Sequence, residues 1–366
     1  MWEQVRQRDV LLFYPYHSMQ PFLDLLKESA ADPAVLSIQI TVYRLARKSA
    51  VVKHLCAAAE NGKAVTVLVE LRARFDEQNN IAWARELEEA GCHVIYGLAG
   101  LKTHCKILLV VRREEDGLRR YVHLGTGNYN DSTARQYTDM GMFTCRESFG
   151  ADASSLFNVL TGYSRPPRYN RFITAPDNMR PFFERMIDQE TANAEQGLPS
   201  GIFAKVNSLV DPDIIVRLYR ASQAGVPITL VVRGICCLVA GLPGVSETVT
   251  VYSVVGQLLE HSRIFRFENG GSPRLYLGSA DWMQRNLDRR VELVFPVEDE
   301  GIVRRVEEVI SLTTEDTVNA RVQLPDGSYE LQDRRGRPVL NCQTELAARA
   351  RRALQQKEKD INEGLI

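Results

Sequence analysis

The sequence predicts an α/β protein in which one unit is written twice. Two observations predict it. Apolar runs of strand length alternate with helical patterns, the signature of sheets flanked by helices. The order of elements in the first half also returns in the second, each time ending on a histidine followed two residues later by a cation.

In the first unit, VLSIQITVY (35–43), AVTVLVEL (64–71), CHVIYG (92–97) and KILLVV (106–111) read as buried strands, the core of them parallel. Between them, NIAWARELEEAG sets Ile81, Ala84 and Leu87 at helical spacing, with Gly91 where a C-terminal cap belongs. In the second unit GIFAKVNSLV (201–210) answers VLSIQITVY, and DIIVRLYRASQAG answers VVKHLCAAAENG. PITLVVRG (227–234) answers KAVTVLVEL, and Gly62 and Gly225 close the two equivalent helices. Past the histidines the parallel continues. His104-Cys105-Lys106 leads into a strand, the turn REEDGLRR, the strand YVHLG and GTGN (125–128). His261-Ser262-Arg263 leads into IFRF, the turn ENGGSP, the strand RLYLG and GSAD (278–281).

Two prolines interrupt the pattern in TGYSRPPRYNRF (161–172), which divides the chain into domains of 1–168 and 169–366. Residues 178–195 read as an amphipathic helix that ends before GLPSG. PDGSYE reads as a turn between strands, and TELAARARRALQQKEKD as a charged C-terminal helix packed on one side.

Composition narrows the class. With 366 residues, 45% apolar and 25% charged, the chain can bury full cores in about two domains. A net charge of −1 argues against a broad basic surface for duplex nucleic acid, while permitting arginines clustered in a cleft. No apolar run is long enough to cross a bilayer, which leaves only peripheral membrane association open. The charged N-terminus MWEQVRQRDV lacks a signal peptide's apolar stretch, so a cytoplasmic location is expected. The seven cysteines are scattered without a Cys-x-x-Cys pair and read as reduced and mostly buried.

The chemistry is expected at the duplicated histidines. Residues two apart on a strand face one side, so His104 and Lys106 can enter a cleft together, as can His261 and Arg263. If the halves face each other across a pseudo-twofold axis, two imidazoles and two cations converge. One imidazole can attack phosphorus, the other can handle a proton or the leaving group, and the cations offset oxygen charge. Of the other histidines, His93 reads as structural and His54 as partly exposed on a helix; His17 and His123 lie near the motifs without a defined role. Arg44, Arg72, Arg74 and Arg233 follow strands at the sheet edge where open α/β folds bind ligands, and arginine can fork onto phosphate oxygens there. Neither a Walker A loop nor the protein-kinase motifs occur. Phosphoryl and phosphodiester transfer both remain open on these residues.

Duplicated His-x-Lys units with a downstream Gly-x-x-Asn resemble the phospholipase D superfamily, although ILLVV after Lys106 lacks that family's usual acid. A closer resemblance is to the polyphosphate kinases, which are phospholipase-D-like. It covers nearly the whole chain, through YPYHSMQPFLDLL, GLKTHCK, HLGTGNYNDSTARQYTD, VRGICCL, LEHSRIFRFENGG and GSADWMQRNLDRRVE among other strings. It implies two tandem phospholipase-D-like domains forming a pseudo-twofold pair, the second ending in the C-terminal helix. It implies His104 as the phosphohistidine nucleophile, with Lys106 in support, and His261 as the partner that assists transfer and contacts nucleotide phosphates. Tyr137, Arg233 and Arg290 are implied at the ATP site, and Arg44 and Arg74 at a magnesium–phosphate site, holding phosphates rather than the metal. The implied reaction is reversible transfer of the ATP γ-phosphate to inorganic polyphosphate, with Mg²⁺ as cofactor and ADP as product. Family members carry two further N-terminal domains and form homo-oligomers, so this chain corresponds to their catalytic part.

Overall fold

The computed structural model describes residues 1–43, 45, 49–70, 77–98, 100–162, 164 and 168–362, and the side chains of that set apart from 77–79 and 361–362. Its first half runs α1 (Trp2–Gln7), β1 (Val10–Tyr14), α2 (Gln20–Ala31), β2 (Val35–Val42), α3 (Ala50–Glu60), β3 (Ala64–Val69), α4 (Glu77–Glu89) and β4 (His93–Ile95). It continues with β5 (Lys102–Thr103), β6 (Lys106–Glu114), β7 (Gly117–Gly125), β8 (Tyr137–Thr144) and α5 (Glu147–Leu160). The second half runs β9 (Ile173–Ala175), α6 (Met179–Glu195), β10 (Ile202–Val206), α7 (Pro212–Gln223), β11 (Ile228–Val232), β12 (Val249–Val254), β13 (Leu259–Glu260) and β14 (Arg263–Phe267). β15 (Arg274–Gly278), α8 (Gln284–Arg289), β16 (Arg290–Pro296), α9 (Glu300–Thr314), β17 (Ala320–Gln323), β18 (Tyr329–Leu331) and α10 (Cys342–Asn362) complete it.

The duplication is visible in the strand order. The first sheet is ordered β1-β8-β7-β6-β2-β3-β4. The second places β9 beside β16 and continues β16-β15-β14-β10-β11-β12, extended by β17 and β18. Strand for strand the two orders are the same, so the α/β pair expected from the repeats is present. The sheets are mixed rather than mainly parallel. β2, β3 and β4 run parallel through helical crossovers, whereas short turns join β6 to β7 and force them antiparallel. Gly62 and Gly225 end their helices at φ +79° and +90°, a conformation that costs glycine little.

Among the described residues, alternation along the strands builds three large cores, beside a small fourth around Val254, Leu312, Ala320 and Cys342. Ile107 and Leu109 of β6 enter a central core shared with Leu277 and Phe295 of the second sheet and with α5 and α9. Leu108 and Val110 point the other way, onto Phe22 and Leu26 of α2 and Leu55 of α3. In the second half Phe265 and Phe267 pack beneath Phe183 of α6 and Leu218 of α7. Each such side chain stabilises the fold by roughly 1.5–3 kcal/mol when fully buried. The central core therefore clamps the two sheets together, and the functional groups lie at its rim.

One further exchange joins the halves. The dipeptide before each histidine leaves its own sheet and pairs in parallel with the other: β5 with β16, and β13 with β8. Main-chain bonds continue the exchange, from His104 N and Cys105 N to Val291 O at 2.8 and 2.9 Å, and from Ser262 N to Thr138 O at 2.7 Å. Both histidines are thus delivered to the partner half's strand.

Candidate active site

The exchange fixes what each imidazole meets. Arg290 pairs with Lys102 and Val291 with Thr103, so the next side chain facing His104 is Glu292. Its Oε2 lies 2.8 Å from His104 Nδ1. In the other half Leu259 pairs with Tyr137 and Glu260 with Thr138, which brings Asp139 to His261. The Asp139 oxygens lie 2.9 and 2.8 Å from His261 Nδ1. Each carboxylate is oriented by a hydroxyl from the loop after the glycine. Thr126 Oγ1 donates to Asp139 at 2.7 Å, and Ser279 Oγ donates to Glu292. The loop must come very close to do this, and a Cβ on Gly127 would stand 2.0 Å from Asp139 Oδ2.

An imidazole that donates Nδ1–H to a carboxylate keeps the lone pair of Nε2 outward. Burial holds His104 neutral, its pKa well below the ordinary histidine value, and the nearby charges of Lys106, Arg290 and Arg263 push the same way. Burial lowers His261 to about 4, against the pull of Asp139. Burial raises Glu292, although Lys106 and Arg290 oppose the shift. Asp139 is held below the ordinary carboxylate value by His261 and Arg263, which outweigh its burial.

The cations form the second layer. Lys106 Nζ donates to the carbonyl of His104, and burial brings its pKa down to about 7 against the pull of Glu292. Arg263 lies against His261, with Nη1 3.2 Å from Nε2, and is tied to Asp281 at 3.2 and 3.3 Å. Arg233 carries a buried Nη1 without a partner among the described residues, and its pKa is lowered by burial and by Arg263. Tyr137 sits with its ring centroid 5.3 Å from that of His261, and Arg290 Nη1 lies 3.8 Å from Glu292 Oε1. Six of the residues singled out in the sequence, His104, Lys106, Tyr137, Arg233, His261 and Arg290, therefore gather where the two halves meet. Arg44, Arg72 and Arg74 lie outside the described residues.

Several expectations change. The register that equates Ile40 with Ala204 and Val69 with Val232 sets Glu70, not an arginine, opposite Arg233 in the repeat. The two halves therefore differ in charge at this one pair of positions. His93 is exposed on the edge strand β4 and buries no side chain there. His123 is buried beneath Phe22 and Phe143, and His17 Nδ1 accepts from Phe13 N at 2.9 Å. Asp139 and Glu292 went unremarked in the sequence. Their signal is present, because an acid stands fourteen positions after Gly125 and fourteen after Gly278.

A magnesium cage was tested on the donors. Among the described residues no group of three His, Cys, Asp or Glu side chains could hold an ion. The site's carboxylates are already engaged by imidazole, hydroxyl and guanidinium groups. These residues do not fit a protein-held metal.

Two family models match the chain: polyphosphate kinase C-terminal domain 1 over residues 1–166, and polyphosphate kinase C-terminal domain 2 over residues 172–343. The polyphosphate kinase of Lactiplantibacillus plantarum is 50% identical over 360 residues, which is 98% of this chain and 50% of that protein. Polyphosphate kinase 1 of Chlorobaculum tepidum is 53% identical over 343 residues, 94% of this chain and 49% of that protein. The crystal structure of polyphosphate kinase from Porphyromonas gingivalis superimposes with a TM-score of 0.89 at 35% identity, covering 98% of this chain and 54% of that one. The chain spans about half the length of the curated relatives it matches.

Proposed function

The chain belongs to the polyphosphate kinase family, matching its two consecutive C-terminal domains, and from that premise we propose that it carries the phosphotransfer site of such an enzyme. The reaction is reversible transfer of the ATP γ-phosphate to polyphosphate through a phosphohistidine on His104. The observation that carries this reading is the pair of histidines, each bound at Nδ1 by the facing half's carboxylate, amid Lys106, Arg263 and Arg233.

In the first step the Nε2 lone pair of His104 attacks the γ-phosphorus. The N–P bond forms as the bond to the β,γ-bridging oxygen breaks, and ADP leaves with that electron pair. Glu292 keeps the Nδ1 proton and offsets the positive charge that grows on the ring. In the second step an oxygen of the terminal phosphate of polyphosphate attacks phosphorus, and the N–P electrons return to Nε2. Lys106, Arg233 and Arg290 offset charge on the transferring group, and Tyr137 lines the nucleotide side. His261 is neutral in the free site and gains a proton beside incoming phosphate oxygens, an imidazolium that Asp139 is placed to stabilise. Magnesium belongs to the nucleotide in this reading and arrives with it. The site works in the cytoplasm.

Labelling tests the reading. Incubation with γ-labelled ATP should leave acid-labile, alkali-stable phosphate on the protein, and His104→Ala should abolish it. Label that survives the substitution overturns the choice of nucleophile.

Lys106 sets a pH dependence. In the free enzyme it loses its proton near pH 7, so kcat/KM should fall above that pH as a cation is lost beside the phosphate. Lys106→Arg, which stays charged, should remove that limb of the profile, and an unchanged limb would assign it to another group. For stability the sign is opposite. Above pH 7 the unfolded chain holds a proton that the folded lysine has lost, so this group's contribution to stability rises with pH until the ordinary lysine value is reached.

A further inference from the structure

Behind Asp139 lies a small cavity of about 10 Å³, lined by Tyr14, His123, Gly127, Asn128, Tyr129 and Asp139 among its walls. That is room for one water molecule. Three polar atoms of its lining are buried and have no partner among the described residues: Tyr14 Oη, His123 Nε2 and Asn128 Oδ1. Tyr14 and His123 are both more than nine-tenths buried. The two atoms are neighbours across Gly141, where an added Cβ would stand 2.4 Å from His123 Nε2 and 3.2 Å from Tyr14 Oη. Tyr14 also lies opposite Asp139 in the β1–β8 register and feels its charge. Leaving such groups unsatisfied costs their full desolvation, so the site favours a small polar occupant.

The other half shows what the occupant does. Glu292 receives its histidine, the Ser279 hydroxyl and a third donor, Asn286 Nδ2 at 2.6 Å. Among the described residues Asp139 receives His261 and the Thr126 hydroxyl, and no third donor. By strand register Tyr14, Gly127 and Gly141 correspond to Ala175, Ala280 and Val294, which are apolar and buried. The Tyr14 hydroxyl therefore has no counterpart beside Glu292.

We propose that this cavity binds one structural water, held by Tyr14 Oη and His123 Nε2, which donates to Asp139 as Asn286 does to Glu292. Tyr14 is then a positioning residue that acts on His261 through the water and Asp139. The proposal rests on the phosphotransfer reading for its effect on rate, and not for the water itself. A crystal structure at 1.5 Å or better should show one water within hydrogen-bond distance of Tyr14 Oη and His123 Nε2, and a dry cavity overturns the proposal. Tyr14→Phe should keep the thermal midpoint and the KM for ATP within about twofold, move the ¹⁵N shift of His123 Nε2, and lower kcat roughly 3- to 10-fold. Water present with kcat unchanged in that variant overturns the positioning role. If the wild-type chain transfers no phosphate, the phosphotransfer reading fails, while the density and the ¹⁵N shift still decide the water site.

Discussion

Glu292→Gln should lower the rate of phosphoenzyme formation by about 10³- to 10⁴-fold while leaving the chain folded, the scale on which a wrongly protonated catalytic histidine fails. The argument is one of tautomers. Glu292 Oε1 receives Asn286 Nδ2 at 2.6 Å and lies 3.8 Å from Arg290 Nη1, so this side of a glutamine must be its carbonyl oxygen. The amide NH₂ then faces His104, where Oε2 stood 2.8 Å from Nδ1. A donor at that place makes Nδ1 the acceptor and moves the ring proton to Nε2, the atom that must attack. The shape of the pocket is kept and the nucleophile is lost. Single-turnover labelling with γ-labelled ATP measures the loss, and circular dichroism checks the fold. Labelling within tenfold of wild type would show that Glu292 does not set the tautomer.

The repeat, both histidines and both cations were legible because they sit in one local pattern: strand, helix, strand, histidine, cation. The carboxylates were harder to see. Asp139 and Glu292 belong to strands that reach the histidines only after the halves exchange β5 and β13, a long-range pairing that no local period encodes. Their equal spacing from Gly125 and Gly278 could have flagged them, once the glycine loops had been aligned as repeats. The expectation of arginines at both edges rests on Arg44, Arg72 and Arg74, which lie outside the described residues; the register itself sets Glu70 against Arg233.

This difference belongs to a wider asymmetry within a symmetric frame. Thr41 and Lys205 occupy equivalent positions, and each supports the residue after a histidine: Thr41 Oγ1 donates to Cys105 O at 2.8 Å, and Lys205 Nζ to Ser262 O at 3.2 Å. One half uses a neutral hydroxyl and the other a buried charge. The fold repeats its geometry while the two histidines receive different electrostatic surroundings, which suits the proposed division into nucleophile and helper.

Lys205→Met should destabilise the chain by about 3–5 kcal/mol, because it strands a buried carboxylate. Lys205 and Glu260 are 3% and 7% exposed, with Nζ 3.0 Å from Oε2. Glu260 also accepts from Thr138 Oγ1 at 2.9 Å and from Gln343 Nε2 at 2.7 Å, so α10 and the first sheet share the network. Methionine fills the lysine's space and donates nothing, which leaves the Glu260 charge with two neutral donors. The double variant Lys205→Met, Glu260→Gln should recover much of the loss, since the uncompensated charge is gone. Denaturant unfolding of the two single variants and the double measures the coupling. A cost near 1 kcal/mol or less for Lys205→Met, the range of an exposed pair, would mean that water reaches Glu260. The network also brackets His261 through residues 260 and 262, so the same substitution should lower kcat even at temperatures where the variant is fully folded. Full activity in that range would confine Lys205 to stability and leave Asp139 alone to place the histidine.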